Sequence, residues 1–225
     1  MKDNLLIAQD ALKFLNIREC FFITESSEQL FFRPIYMEID KWIVIASGQV
    51  SLNGRIRIVL DKKTVEINCR TESVKVENFS NCYMFIFLEP MPEEILKKLI
   101  QVKKTFRASS RRREERFEIG TALFKEFGFS APVQNFSYKE QKFQCLVNNV
   151  SVHGAMITCG KSDVKIGERI NLLFSFVNPS ENISQFAIVV NRTSVSGGYL
   201  QLSLNFLEPV SFLWQKRICS FAEKN

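Results

Sequence analysis

Histidine is almost absent from this 225-residue chain, which contains a single one, His153. The six cysteines form no C-x-x-C pair, and no Gly-rich phosphate loop occurs. Zinc clusters and His-dependent catalytic triads both need several such ligands or bases close together. These absences leave no recognisable catalytic set, so the sequence predicts a protein that is not an enzyme and that holds no metal or other cofactor.

Long apolar runs are also missing. No stretch approaches the roughly 18 apolar residues of a membrane span. The N-terminal stretch is interrupted by Asp3, Asp10 and Lys13, so it lacks the apolar core of a signal peptide. The cysteines are then expected to be free thiols in a reducing compartment. We therefore predict a cytoplasmic protein without membrane insertion.

Positive charge is concentrated in one place. The formal net charge is +6, and residues 103–116 account for +5 of it with seven basic and two acidic side chains. A net positive charge indicates an anionic partner. Because the charge is a local patch, it is not the extended coating expected for long nucleic acid or a membrane surface.

Two stretches of short β-like runs, separated by a helical pattern, make up most of the chain. Phenylalanine is abundant, at 21 residues, which indicates an aromatic-rich core built on sheets. Residues 200–206 alternate strictly between apolar and polar side chains, the period of a strand with one buried face. The predicted strands are 21–24, 30–36, 42–46, 55–60, 65–69, 83–88, 117–127, 143–148, 155–158, 169–177, 185–193 and 199–207.

Turn and helix signals complete the outline. Asn53-Gly54 and Gly197-Gly198 predict hairpin turns. Amphipathic spacing predicts helices over residues 4–15, over about 93–106 and from Pro209 onward. The fold class is mainly β, with two small β-barrel domains joined by a helix and a short hinge. The predicted domains are 1–104, a hinge or switch loop at 105–113, and 114–225.

Two short motifs carry the functional signal. Arg112 and Arg116 form R-x-x-x-R, and about thirty residues later Asn149, Ser151 and Gly154 form N-x-S-x-x-G. Guanidinium groups suit phosphate and the O6/N7 edge of guanine, and they stack on purine rings. An amide and a hydroxyl each donate to and accept from a base edge. The glycine permits a positive φ or a close approach to the backbone. An anionic ligand that carries guanine would satisfy both motifs.

The two motifs, in this order and separation, resemble the signature of the PilZ family of bacterial cyclic di-GMP receptors. The likeness covers residues from about 110 to 225 and implies a six-stranded antiparallel β-barrel with a C-terminal helix. It also implies that Arg111, Arg112 and Arg116 bind the phosphates and guanine. Asn149, Ser151 and Gly154 would line the other guanine. Many members have a further contact on a later strand, near Asn191 or Arg192 in this sequence, and His153 falls at a variable position.

The layout as a whole is similar to that of flagellar-brake proteins. It implies that the first 104 residues are a PilZ-like partner domain without the nucleotide motif. Ligand binding would then change the domain orientation about the hinge and so regulate a downstream protein, such as a flagellar motor component. An alternative interpretation is a nucleic-acid-binding protein that uses the basic patch at 103–116. A PilZ-type adaptor that has lost its ligand is a further alternative, but the motif here is intact.

Overall fold

The structure is a computed structural model, and it describes residues 9–76, 79–111 and 115–224. The chain divides into two compact units, Met1–Lys104 and Thr105–Asn225. Both units are built mainly of antiparallel strands. None of the helices in the described ranges is long and apolar enough to cross a membrane.

The first unit is a closed six-stranded barrel with strand order β1-β2-β3-β6-β5-β4. The rings of Phe22 and Phe32 pack on Phe85 inside it, with centroid separations of 5.3 and 4.9 Å. All three rings are buried, and each contributes about 2–3 kcal/mol by leaving water. The elements of this unit are α1 (Gln9–Phe14), β1 (Ile17–Thr24), β2 (Gln29–Met37), β3 (Lys41–Ala46), β4 (Asn53–Leu60), β5 (Thr64–Ser73) and β6 (Cys82–Phe87).

The turn predicted at Asn53-Gly54 is wrong, because both residues belong to strand β4. A Cβ atom added to Gly54 would lie within 3.0 Å of the Phe22 ring and of the Ile23 carbonyl oxygen. The glycine therefore permits close packing of β4 against β1, not a reversal of the chain.

The second unit closes a six-stranded ring in the order β8-β9-β10-β13-β12-β11, with the short strand β7 added beside β9. The prediction of two small β-barrels is confirmed. The elements are α2 (Glu93–Arg111), which begins in the first unit, β7 (Phe117–Glu118), α3 (Phe124–Phe127), β8 (Val133–Tyr138), β9 (Gln141–Ser151), β10 (Gly154–Cys159), β11 (Arg169–Val177), β12 (Ser180–Ser194), β13 (Leu200–Phe206) and α4 (Phe212–Ala222).

The predicted turn at Gly197-Gly198 is confirmed. The two glycines have φ of 77° and 78° and connect β12 to β13. The predicted last helix is also confirmed, although it begins at Phe212 and not at Pro209. Its first turn is capped by Ser211, whose hydroxyl accepts a hydrogen bond from the Trp214 amide at 3.2 Å.

The strand predicted over 117–127 is largely wrong. Only Phe117–Glu118 is a strand, and the chain then turns into helix α3. Phe127 packs on Trp214 and Phe221 of α4, with centroid separations of 5.7 and 5.2 Å. These aromatic contacts outweigh the local β propensity of the stretch.

The predicted end of the connecting helix is also wrong, because α2 continues to Arg111 and residues 105–111 of the expected loop are helical. Ser109 is buried, and its hydroxyl group lies within donating distance of two acceptors, the Phe106 carbonyl oxygen at 2.8 Å and the Gln215 side-chain oxygen at 2.6 Å. The end of α2 is thus held by this buried serine and by the Phe106 ring, which packs on Phe212 with a centroid separation of 5.8 Å. The switch role of 105–113 stays a prediction, and residues 112–114 lie outside the described residues.

All six cysteines are buried and free. Burial raises the pKa of the Cys20, Cys69 and Cys145 thiols to about 12. These thiols stay protonated at neutral pH and so lack the thiolate that reacts with oxidants or binds metal.

Candidate functional site

Pairing between β7 and β9 brings the two sequence motifs together. Phe117 pairs with Val150, and Glu118 pairs with Asn149. Because the strands are antiparallel, continuing this register by one residue places Arg116 level with Ser151. The end of R-x-x-x-R and the start of N-x-S-x-x-G are thus neighbours in space, although 33 positions separate Arg116 from Asn149.

The arginines of the first motif are described to different extents. Arg116 has an exposed side chain, and it forms no ion pair within the described part of the chain. Arg111 is the last residue of α2. Arg112 lies outside the described residues, so its predicted role stays a prediction. Arg116 thus has its backbone level with the second motif and its side chain in contact with solvent.

Asn149 and Ser151 face the outer side of the barrel wall even though both are buried, at 6% and 8% exposure. The register between β9 and β10 shifts by one residue at Asn148. Asn149 and Val147 pair with consecutive residues of β10, so Asn148 between them has no partner on that strand. This bulge lets Val147 and Val150 both enter the core. Strand alternation then directs Asn149 and Ser151 outward, onto the face that Arg116 borders.

Both polar side chains have modest partners. The Asn149 amide nitrogen donates to the Glu118 carboxylate at 3.3 Å, and the Ser151 hydroxyl donates to the Gly154 carbonyl at 3.4 Å. Hydrogen bonds of this length are weak. A ligand that offers shorter bonds can therefore replace them at little cost in free energy.

The polar turn expected over 149–154 is shorter than predicted. Ser151 pairs directly with Gly154, so only Val152 and His153 form the turn. Val152 is fully buried and holds the hairpin against the core. The His153 side chain is partly exposed, with its Nδ1 atom 3.2 Å from a Glu208 carboxylate oxygen.

Gly154 is required by packing. A Cβ atom added there would lie within 3.0 Å of the Leu204 carbonyl oxygen on β13. Gly154 does not have a positive φ, so a left-handed backbone is not the reason that this position needs glycine. Of the two roles that the sequence left open for this glycine, the structure shows the close approach of two backbones.

Beyond Glu118, three further side chains lie on the same outer face, and two of them were not predicted from the sequence. Asn149 pairs with Met156, Met156 with Ser203, and Ser203 with Asn191. Directly paired residues point to the same side of a sheet. Met156 and Ser203 are half-buried, and Asn191 is exposed. The period-two pattern of residues 200–206 indicated that Ser203 faces outward, but it did not indicate a function, and no pattern in the sequence indicated Met156.

Arg192, the other later-strand candidate, does not belong to this row. It pairs with Leu202, whose side chain is in the core, and its backbone amide is held by the Asn191 side chain at 2.9 Å. Of the two residues considered, Asn191 therefore lies level with the motif.

The face as a whole combines one cation, Arg116, and one carboxylate, that of Glu118 opposite Asn149, with neutral hydrogen-bonding groups. Arg116 provides permanent positive charge at one end, and the amide and hydroxyl groups of Asn149, Ser203 and Asn191 follow across three strands. Met156 adds a polarizable thioether that packs well against flat rings. Such a surface can hold an anion at its edge and a planar heterocycle on its floor.

Comparison with known proteins adds a family. Residues 110–212 match the PilZ domain. No curated protein matches the chain in sequence.

Solved structures of similar layout include three bacterial proteins. The Borreliella burgdorferi PlzA protein in complex with c-di-GMP is 18% identical, with 97% of this chain and 93% of that chain covered and a TM-score of 0.43. The Bacillus subtilis inhibitor of motility, MotI/DgrA, is 13% identical, with coverages of 92% and 95% and a TM-score of 0.37. YcgR from Escherichia coli in complex with c-di-GMP is 12% identical, with coverages of 99% and 93% and a TM-score of 0.35.

Proposed function

Residues 110–212 of the chain are a PilZ domain, and from that premise we propose that the protein is a receptor for cyclic di-GMP. The observation that carries the proposal is the β7–β9 register, which sets Arg116 beside Asn149 and Ser151. Cyclic di-GMP has two phosphodiesters and two guanines. It needs a cation and base-reading groups within one small area, and this face has both.

The arginines bind the phosphates and one guanine. Arg116 is exposed and borders the site, and Arg112 and Arg111 precede it in the same segment. A guanidinium group offers paired donors that match phosphate oxygens or the guanine O6 and N7 atoms. Its flat face also stacks on a purine. One short arginine segment thus supplies both the charge and the ring contact.

The other guanine lies on the strands. Asn149 and Ser151 hydrogen-bond its edge. Gly154 lets β10 approach β13 closely, so the hairpin stays close to the barrel surface. Met156 and Ser203 continue the strand surface on which this guanine lies, and Asn191 lies at the far end of that surface. In this arrangement Asn191 is the later-strand contact, and Arg192 is not.

Isothermal titration of the full-length chain with cyclic di-GMP tests the receptor assignment. We expect saturable binding in the micromolar range or tighter, and binding of cyclic di-AMP at least tenfold weaker. Adenine has an amino donor where guanine has the O6 acceptor, so arginine and amide contacts that fit guanine lose a partner. GTP, which has one guanine and more negative charge, serves as the charge control.

If cyclic di-AMP bound as tightly as cyclic di-GMP and GTP bound more tightly than either, charge alone would drive binding, and the receptor assignment would be rejected. The nucleic-acid alternative has its own signature. In that case duplex DNA would bind more tightly than cyclic di-GMP, and its affinity would fall steeply with salt, whatever the sequence.

We further propose that ligand binding acts through the predicted switch segment 105–113 to change the orientation of the first unit. The downstream partner is a protein of the motility machinery, such as a flagellar motor component. A ligand shifts the balance between two arrangements only by the difference in its affinity for them.

Small-angle X-ray scattering of the free chain and of the ligand-saturated chain should therefore give different profiles. Superimposable profiles, with saturation verified by titration, would exclude the reorientation.

A further inference from the structure

Helix α4 contacts three segments of the second unit that the candidate site depends on. They are the end of α2, the short strand β7 and the β9–β10 hairpin. The first two flank the arginine segment 110–116, and the third contains the N-x-S-x-x-G motif. The helix α4 (Phe212–Ala222) contains no residue of either sequence motif.

Gln215 of α4 holds the end of α2. Its side-chain oxygen lies 2.6 Å from the Ser109 hydroxyl, and its amide nitrogen donates to the Val210 carbonyl at 3.1 Å. Ser109 and Gln215 are both almost completely buried, at 2% and 4% exposure. A buried polar pair of this kind fixes geometry, because breaking it leaves an unsatisfied group away from water. Ser109 therefore fixes the start of the arginine segment.

Phe221, on the last turns of the same helix, holds β7. Its ring meets the ring of Phe117 edge-to-face at a centroid separation of 5.5 Å and an angle of 90°. Phe117 directly follows Arg116, so this contact fixes the end of the arginine segment. Gln215 and Phe221 are six positions apart on α4, about 9 Å along its axis.

Trp214, next to Gln215, holds the hairpin. Its indole N–H donates to the Ser151 carbonyl at 3.0 Å, and its ring stacks on Phe174 with a centroid separation of 4.7 Å. The indole is fully buried. The backbone of the second motif is thereby fixed to the same helix that anchors both ends of the first.

We propose that α4 is the common support of the ligand site, with Ser109–Gln215 and Phe117–Phe221 anchoring the two ends of the arginine segment. This inference rests on the proposed receptor function and assigns Ser109 and Gln215 as positioning residues that do not touch ligand. Anchoring Ser109 and Phe117 fixes the backbone on either side of this segment before the ligand binds, and pre-organised groups bind a ligand more tightly. The anchors therefore increase affinity by positioning the arginines.

A double-mutant cycle in cyclic di-GMP affinity tests the support role. Ser109→Ala removes the hydroxyl and keeps a good helix former, so the variant is expected to fold. Titration should show about threefold to tenfold weaker binding, the size of one net hydrogen bond. Combined with Arg112→Ala, the same substitution should add less than about twofold, because the arginine that it positions is already gone.

Gln134→Met is the matched control. Gln134 is also buried in this barrel and also makes two hydrogen bonds, to the Ala131 carbonyl and the Ser175 amide. It pairs with Cys145, toward the other end of β9 from the hairpin. Its replacement should lower the melting temperature and leave the dissociation constant within about twofold of wild type.

The outcomes separate the two proposals. If wild type does not bind cyclic di-GMP, the receptor function and the support role both fail. If wild type binds and Ser109→Ala binds equally well, only the support role fails. The same conclusion follows if Ser109→Ala weakens binding by the same factor with and without Arg112, since a purely structural effect multiplies.

Discussion

Replacing both arginines of the R-x-x-x-R pair, Arg112→Ala together with Arg116→Ala, is expected to weaken cyclic di-GMP binding by about 100-fold or more. A hydrogen bond to a charged group contributes about 1.5–3 kcal/mol, or roughly tenfold or more in affinity for each arginine. Arg116 is exposed and borders Asn149 and Ser151 through the β7–β9 register, so its removal leaves the barrel intact. Calorimetric titration measures the loss, and circular dichroism verifies the fold.

The matched control for this double variant is Lys104→Ala with Arg107→Ala. Both residues are exposed on α2 and belong to the same basic stretch. The control removes the same amount of charge from the same patch and spares the motif. We expect its affinity to stay within about threefold of wild type, since exposed charges act on a distant ligand only through a screened field. Equal losses in the two double variants would show that net charge, not the arginine motif, binds the ligand.

Strict hydrophobic alternation made the second barrel predictable from sequence. Leu200, Leu202 and Leu204 face the core of β13, as their period of two indicates. Strand β8 was missed because one of its inward positions is Gln134. The amide of that residue is satisfied inside the barrel by the Ala131 carbonyl and the Ser175 amide. Ser175 lies 41 residues away from Gln134 in the chain, and no local pattern reveals this partner.

The candidate site, like the second barrel, could be predicted only in part from the sequence. The residue types and the order of the two motifs could be read from the sequence, because the hydrogen-bonding properties of guanidinium, amide and hydroxyl groups do not depend on the fold. The proximity of the two motifs in space could not be predicted in this way, because it depends on strand β7. That strand has only two residues, Phe117–Glu118, and is too short to show a period in the sequence. The bulge at Asn148, which turns Asn149 and Ser151 outward, was equally hidden. The short strand is held by a tertiary contact, since the Phe117 ring packs on Phe221 of α4.

Replacing Gly154 with alanine is expected to destabilise the second unit by about 3 kcal/mol and to remove measurable ligand binding. The added Cβ atom would lie within 3.0 Å of the Leu204 carbonyl oxygen. That oxygen belongs to the backbone of β13, so it cannot rotate away as a side chain would, and the two strands must separate. Separation moves the hairpin that carries Ser151. At about 4 °C per kcal/mol, the melting temperature of this unit should fall by roughly 12 °C.

Gly160→Ala provides the comparison for this experiment, because Gly160 directly follows the same strand and an added Cβ atom would meet nothing within 4 Å. Its φ is not in the left-handed region, so alanine fits without strain and reduces the freedom of the unfolded chain. We expect an unchanged or slightly higher melting temperature and wild-type affinity. Calorimetric unfolding and titration of both variants decide the matter. If Gly154→Ala melts and binds like Gly160→Ala, the approach of β10 to β13 does not shape the site.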